Sequence, residues 1–527
     1  MEKRTLLAVA LSVLVIVVFQ YWAAKNYAHK RPAGTVETAV APQEGFGETI
    51  NVSQDLPQNV ELATKEEEYL AETDRFVFTF SNMGGSIKKV ELKEFGDRET
   101  GRPYLLASID KPQYFIGAFN LPENFMLSNV PYQLITAGDT IRYIYKTDDI
   151  EIEKVFTLHN YNDYIELDIV IKNKSQRQIK TSSRFITGSG ISATGAMAQR
   201  YMSVSAKVDG KLTRDKRDST RVGDVSWAAI NSKYFCVIGR PYQLMRESFT
   251  KSVAKGDLAA GMESPIFTLS PGSETTQQYL FYIGPLEAHR IKAIGMNLED
   301  AVNYGIFDGI SKVLLGTLRF FHKILRNWGL AIIFLTVLVN FLLFPLTRKS
   351  YKSMKAMQDL QPHIDKLRGM HKDNPQKLNK ELMQLYKSYN VNPLGGCLPL
   401  LLQMPIFISL YHALMRSIEL KGANFLWIKD LSEPDAVQLP FTLPFLGDSI
   451  NILPIFMMVA MIFQQKLSSP HRSSEMSEQQ KQQQNMMLMM PVIFVVIFYT
   501  LPSGLVLYWV VNTLLMMTHQ YMIKRSS

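Results

Sequence analysis

Apolar residues follow three rhythms along this chain, and each predicts a different kind of element. Met1 to Arg4 is short and basic, and residues 5–24 are almost wholly apolar. That length is close to the roughly 20 residues a bilayer-spanning helix needs. A signal peptide has a shorter apolar core of about 7–15 residues, so residues 1–24 are read as a retained anchor. The small pair Ala23-Ala24 keeps cleavage open as the alternative. Lys3 and Arg4 place the N-terminus in the cytoplasm, because cationic flanks stay inside. Residues 25–59, rich in Ala, Pro, Gly, Thr, Glu and Gln without an apolar period, predict a flexible tether.

Over residues 60–300 the period becomes two. Phe76, Phe78 and Phe80 alternate ahead of the turn pair Gly84-Gly85, and Ile165, Leu167, Ile169 and Ile171 alternate after a turn-like stretch at 159–163. Many short strands in a region of this size predict a large β-sandwich. It contains no nucleophile elbow and no phosphate-cradling loop. His159 is the single histidine between residues 60 and 285 and is read as structural.

From residue 301 the period becomes helical. Ile306, Ile310, Val313, Leu314, Leu318, Phe321 and Leu325 recur at three and four, with Asp308, Lys312, Arg319, Lys323 and Arg326 opposite. Residues 301–326 are therefore predicted to form an amphipathic helix in the membrane interface. Five spans follow at about 328–346, 397–414, 450–463, 486–501 and 504–521, the last two joined by the tight Pro502-Ser503 turn. Several are short, which predicts a thinned bilayer around the bundle. Between the first two of these spans, Met354, Met357, Leu360, Ile364, Leu367 and Met370 form one helical stripe. Leu378, Leu382, Leu385, Tyr386 and Tyr389 form a second, so residues 348–394 read as a helical hairpin with Pro362 bending its first arm.

Charge orients these elements. The loop from Thr347 to Leu394 carries ten Lys or Arg against four Asp or Glu. Lys466, Arg472, Lys481 and the terminal Lys524-Arg525 fall on the same side if the N-terminus is inside. Six spans with both ends cytoplasmic and the β-domain outside satisfy all of these clues. The basic hairpin surface fits ribosomal RNA, anionic lipid or the targeting machinery, and equally a merely solvated face. The net charge of +9 is thereby localised. Cys236 and Cys397 stand alone without metal-ligand spacing, so no disulfide framework, metal or cofactor is expected.

Polar residues inside the spans are the candidate functional groups. Thr336 and Asn340 are four apart and share a helical face, Gln403 lies between Pro399 and Pro405, and Asn512 interrupts the last span. In hydrocarbon such groups face inward, either hydrogen-bonding helix to helix or lining a hydrated cavity. Methionines cluster at 457, 458 and 461, at 486, 487, 489 and 490, and at 516 and 517. They serve either as packing or as an adaptable surface for varied apolar partners. No mid-span carboxylate supports ion-coupled transport. A solute transporter and an enzyme acting through the β-domain remain the alternatives from other classes.

Several segments carry a resemblance: Asn327-Trp328-Gly329, Phe344-Pro345-Leu346-Thr347, Val391-Asn392-Pro393-Leu394-Gly395-Gly396-Cys397, Leu402 to Phe407 and Pro502 to Trp509. In that order and spacing, the chain resembles the YidC/Oxa/Alb family of membrane insertases in its Gram-negative form. The resemblance implies a multi-domain α+β membrane protein: an anchor, a periplasmic galactose-mutarotase-like β-sandwich and a five-helix core over 327–525. It implies a non-enzymatic insertase and chaperone of the inner membrane, with a hydrophilic groove open to cytoplasm and lipid. The groove residues would be Thr336, Asn340, Gln403, Tyr508, Trp509 and Asn512. Substrate would slide along the third and fifth membrane helices, counted from the N-terminal anchor, past Leu402, Ile406, Met490 and Phe494. Implied partners are nascent membrane proteins, the Sec translocon with its accessory subunits, the ribosome and the signal recognition particle receptor. One departure stands out: the family's groove arginine falls at Asn340, which offers hydrogen bonds without charge.

Overall fold

In a computed structural model, the chain is described over residues 65–95, 102–121, 126–192, 199–254, 256–302, 307–371, 374–389, 391, 398–443, 447–468 and 489–525. The expected anchor, the tether, Cys397 and most of the motif before it lie outside these residues.

The two-residue period does build a sandwich. A nine-stranded antiparallel sheet runs, edge to edge, through Lys211–Asp215, Ser203–Val208, Val225–Asn231, Phe235–Pro241, Glu274–Pro285, Tyr164–Asn173, Ile150–Leu158, Thr140–Lys146 and Gln133–Ala137. A five-stranded sheet (Ser219–Val222, Glu247–Ala254, Asp257–Glu263, Arg184–Ser189, Phe119–Asn120) and a four-stranded one starting at Glu68–Glu72 cover its inner face. Ile165, Leu167, Ile169 and Ile171 are all buried there with Phe76, Phe78 and Phe80, because successive side chains point to opposite faces. The expected turn is present: Gly84 and Gly85 have φ of +66° and +50°. A Cβ on Gly84 would sit 2.7 Å from the Ser128 backbone, so neither conformation nor space admits a side chain. Sequence reasoning missed Lys154. It is fully buried and donates to the Gly84 carbonyl, Ser86 Oγ and the Gly117 carbonyl, each at 2.8 Å. Burial holds its ammonium well below the usual lysine range. His159 meets Glu166 at 3.3 Å and lies 4.8 Å from the Tyr164 ring.

Strands in the middle of the large sheet are apolar on both faces, and this welds the β-domain to the helices. Ala228, Ile230 and Val237 face the sandwich core. The intervening Trp227, Ala229, Cys236 and Ile238 belong to a second cluster with Ile291 of α1 (Ala288–Ile294) and Leu314 and Leu318 of α2 (Asp308–Leu325). That cluster continues through Ile332 and Leu335 of α3 (Trp328–Asp359), Leu410 of α6 (Leu398–Met415), Met457 of α7 (Ile452–Ser468) and Leu505 of α9 (Ser503–Arg525). Between α3 and α6 lie α4 (Gln361–Met370) and α5 (Pro375–Ser388), and α8 covers Met489–Phe498.

Boundaries differ from expectation in instructive ways. The span expected to end at 346 continues as one helix to Asp359 with Pro345 inside it. Pro362 does not bend that arm but starts a new helix, where its missing N–H costs nothing. The hairpin of Val437–Leu443 with Gly447–Ile450 was not expected. Helix α2 is apolar on two sides: Leu314, Leu315 and Leu318 pack inward, while Ile310, Val313, Phe320 and Ile324 are exposed along one stripe. Lys312 pairs with Asp308 and Arg319 with Glu419.

Candidate functional site

The polar residues of the spans converge on α9. Asn340 Nδ2 of α3 donates to Asn512 Oδ1 of α9 and to the Thr336 carbonyl, both at 2.9 Å. Thr336 in turn donates to the Ile332 carbonyl at 2.7 Å. Gln403 of α6 donates to the Tyr508 hydroxyl. Thr336, Asn340, Gln403, Tyr508 and Asn512 are all buried. Of the two readings open at the sequence level, helix-to-helix hydrogen bonding is the arrangement present. The site therefore joins α3 to α9 through an amide pair and α6 to α9 through an amide–phenol pair, each hydrogen-bonded in an apolar surround.

Trp509 adds an aromatic wall. Its ring lies 4.9 Å from Phe407 of α6, edge-on, and 5.3 Å from both Phe494 and Phe498 of α8. Phe494 and Ile406 are half-buried against this wall, and Met490 is exposed beyond it. The expected slide residues Ile406, Phe494 and Met490 are thus on adjoining helix surfaces. Leu402 lies within α6, but its side chain is outside the described set. Of the clustered methionines, Met457 is core packing, while Met489 and Met490 are exposed.

A polar layer beyond these residues escaped the sequence reading. Thr347 and Ser350 of α3 and Gln520 of α9 are buried, and His519 lies edge-on to Phe344 at 5.0 Å with no hydrogen-bond partner at Nδ1. They continue the Asn340–Asn512 face about two to three turns onward. The signal was available: polar residues 340, 347 and 350 on α3, and 512, 519 and 520 on α9, recur at spacings close to whole helical turns. It was missed because 347 and 350 lie past the expected end of the first of these spans.

The motif glycines position this site. A Cβ on Gly329 would lie 2.1 Å from the Phe425 ring, so α3 starts with its backbone against that ring. At the other entry, Ser503 N donates to the Glu433 carbonyl at 2.8 Å and Gly504 N to the Leu431 carbonyl at 2.9 Å. These bonds satisfy the open N-terminus of α9. Asp435, buried, accepts from Ile452 N and Leu453 N at 2.9 Å each and so caps α7 from outside its own helix.

Known proteins match across this whole arrangement. The family described as 60Kd inner membrane protein matches residues 320–527, and the YidC periplasmic domain matches residues 69–316. A membrane protein insertase YidC from Pelobacter propionicus is 32% identical over 554 residues, covering 100% of this chain and 99% of that protein. The chain belongs to the YidC family of membrane protein insertases. The relative from Methylobacillus flagellatus is 30% identical, with 100% of this chain and 97% of that protein covered. Among solved structures, an active YidC insertase crystal structure aligns at 19% identity and a TM-score of 0.38, over 88% of this chain and 94% of that one. A galactose mutarotase-like protein from Lactobacillus casei aligns at 7% identity and a TM-score of 0.33, over 41% of this chain and 100% of that one. The insertase family accordingly pairs a periplasmic β-sandwich with an inner-membrane helical region in this chain.

Proposed function

We propose that this chain is an inner-membrane insertase and chaperone that moves hydrophobic segments of nascent proteins into the bilayer without covalent catalysis. The observation that carries the reading is the inside-out distribution of polarity in the helical region. Phe334, Val337, Phe341 and Leu342 of α3, Phe456, Val459 and Phe463 of α7, and Val492, Val496 and Ile497 of α8 are exposed apolar stripes. The amides Asn340, Gln403 and Asn512 are buried behind them. Exposed apolar area of this extent suits hydrocarbon, not water. Among the described residues one helix, over Trp328–Met357, is long and apolar enough to cross a membrane alone, and Ile452–Leu467 and Met489–Phe498 are shorter apolar helices.

In this reading the chain crosses the membrane six times, with both termini and the α4–α5 hairpin cytoplasmic. A substrate's apolar segment passes along Leu402, Ile406, Met490 and Phe494. Its polar end exchanges hydrogen bonds with Thr336, Asn340, Gln403, Tyr508 and Asn512 beside Trp509. The Asn340–Asn512 and Gln403–Tyr508 pairs open transiently to admit water, which lowers the cost of passage for polar groups. The Sec translocon with its accessory subunits, the ribosome and the signal recognition particle receptor are the partners this role calls for.

The test is depletion of the protein in its host, followed by protease accessibility of a small two-span substrate. Retention of the substrate's translocated loop inside the cell is the expected result. Normal insertion of several unrelated substrates would remove the basis for the reading.

A further inference from the structure

Between α6 and α7 the chain makes a tight turn from residues that turns ordinarily avoid. Phe425 and Ile428 exchange both backbone hydrogen bonds at 2.9 Å, so Leu426 and Trp427 alone form the tip. Leu426 has φ of +52°, in the left-handed region. A turn that only reverses the chain favours Gly, Asn or Asp there, because a larger side chain crowds the backbone. Here the position holds a leucine that is 76% exposed, beside a tryptophan that is 46% exposed. At that exposure Leu426 gains little from the core, so what the side chain contributes comes from outside the chain.

The turn is fixed at the end of the helical region where α3, α7 and α9 begin. A Cβ on Gly329 would meet the Phe425 ring, so that ring lies against the first turn of α3. Trp427 Nε1 donates to Asp435, whose carboxylate also accepts from Ile452 N and Leu453 N at the start of α7. The Leu431 carbonyl, three residues past the turn, accepts from Gly504 N at the start of α9. Leu330 and Phe334 begin the exposed apolar stripe of α3, and Ile452 and Phe456 begin that of α7. Leu426 and Trp427 therefore stand at the level where both stripes start. Asn424 and Lys429, just outside the bonded pair, are exposed and give the apolar tip a polar rim.

We propose that the Leu426–Trp427 turn inserts into the headgroup–acyl boundary of the outer leaflet and fixes the depth of these helix ends in the bilayer. Its chemistry favours a lipid surface over a protein partner. Tryptophan suits a boundary that is apolar on one side and wet on the other. Lys429 can lay its stem on apolar surface and keep its ammonium among phosphates. A stable protein interface takes roughly 20–30 residues a side, whereas this tip offers two apolar residues inside a polar rim. The inference rests on α3 and α7 spanning the bilayer, as in the function proposed above. It assigns the loop after α6 a task of its own: to hold the starts of α3 and α7 level with the lipid boundary.

The test places a nitroxide on the full chain in liposomes of phosphatidylcholine and phosphatidylglycerol. One cysteine is introduced at a time in a Cys397→Ser background, with the buried Cys236 left in place. Electron paramagnetic resonance then reads collisions with oxygen, which concentrates in hydrocarbon, and with a water-soluble nickel chelate. Leu426→Cys is expected to show an oxygen-to-nickel ratio several-fold above that of Val222→Cys, on an exposed strand of the β-domain. Equal ratios at the two positions would overturn the proposal. So would protection of the label at position 426 from both reagents, which is the sign of a covering protein. Val459→Cys, in the α7 stripe, separates the two levels of the argument. With its label in hydrocarbon and that at position 426 in water, the turn is no anchor and the spanning reading stands. With both labels in water, the spanning reading and the anchor fail together.

Discussion

Asn340 is the residue on which the helical site turns, since it joins α3 to α9 and stands where charge would otherwise be expected. Its bond to Asn512 is a buried amide pair. Asn340→Leu leaves Asn512 Oδ1 without that donor, at a cost of about 0.5–1.5 kcal/mol, the usual range for interhelical hydrogen bonds in membranes. A fall in the unfolding midpoint in detergent, restored by Asn512→Leu in the double variant, is the expected pattern. Asn340→Arg should raise insertion of substrates with acidic translocated tails; a flat response across tails of graded charge would refute that. Gly329 is a matter of space instead. With a Cβ contact at 2.1 Å from Phe425, Gly329→Ala must displace the ring, costing about 1–3 kcal/mol. Phe425→Leu should relieve most of the loss, as a double-mutant cycle would register.

At the scale of elements, α7 depends on a cap that its own sequence does not supply. Asp435 reaches Ile452 N, Leu453 N and Trp427 Nε1, the last at 3.2 Å, and so ties the loop after α6 to the start of α7. Asp435→Ala should destabilise the protein by about 1–2 kcal/mol. It should also change the emission of Trp427, whose indole loses its acceptor. Unchanged stability would mean that water replaces the carboxylate at this helix end. Helix α2 shows the same dependence on context. Its period predicted one apolar face, yet two exist, because Leu314 and Leu318 pack on the core while Val313 and Ile324 face outward. Periodicity identifies an amphipathic helix but does not say what each side meets.

The whole molecule is held together at the seam between sandwich and helices, and ionisable groups sit there. Glu287 is buried beside Arg290, Arg319 and Glu419 and is pushed up to about 7, by burial first and then by the charge of Glu419. Burial works to raise Glu419 too, but the Arg319 guanidinium at 2.6 Å keeps it below the ordinary carboxylate value. A raised folded pKa means that Glu287 contributes most below its ordinary value of 4.5 and loses that contribution as pH rises through about 7. Glu287→Gln, permanently neutral, should therefore gain in melting temperature relative to wild type between pH 5 and 8. A difference independent of pH would place the titration elsewhere.

Local rules made the sandwich strands legible. Ile165 to Ile171 alternate, Gly84-Gly85 turns, and each buries or bends as the spacing requires. The apolar helices were legible in the same way, and the amides at 340, 403 and 512 were marked by being polar within apolar runs. Those are properties of side-chain type and period, which a chain carries before it folds. Partners are not. That Asn340 meets Asn512, that Lys154 meets three acceptors up to 70 residues away, and that Arg319 meets Glu419 were decided by packing. Long-range pairing leaves no periodic trace in either partner, because each contact depends on where two separately specified elements come to rest. The sequence by itself determined which elements form and which residues belong inside, while the tertiary structure alone decided which buried polar groups satisfy one another and which charges pair at the seam.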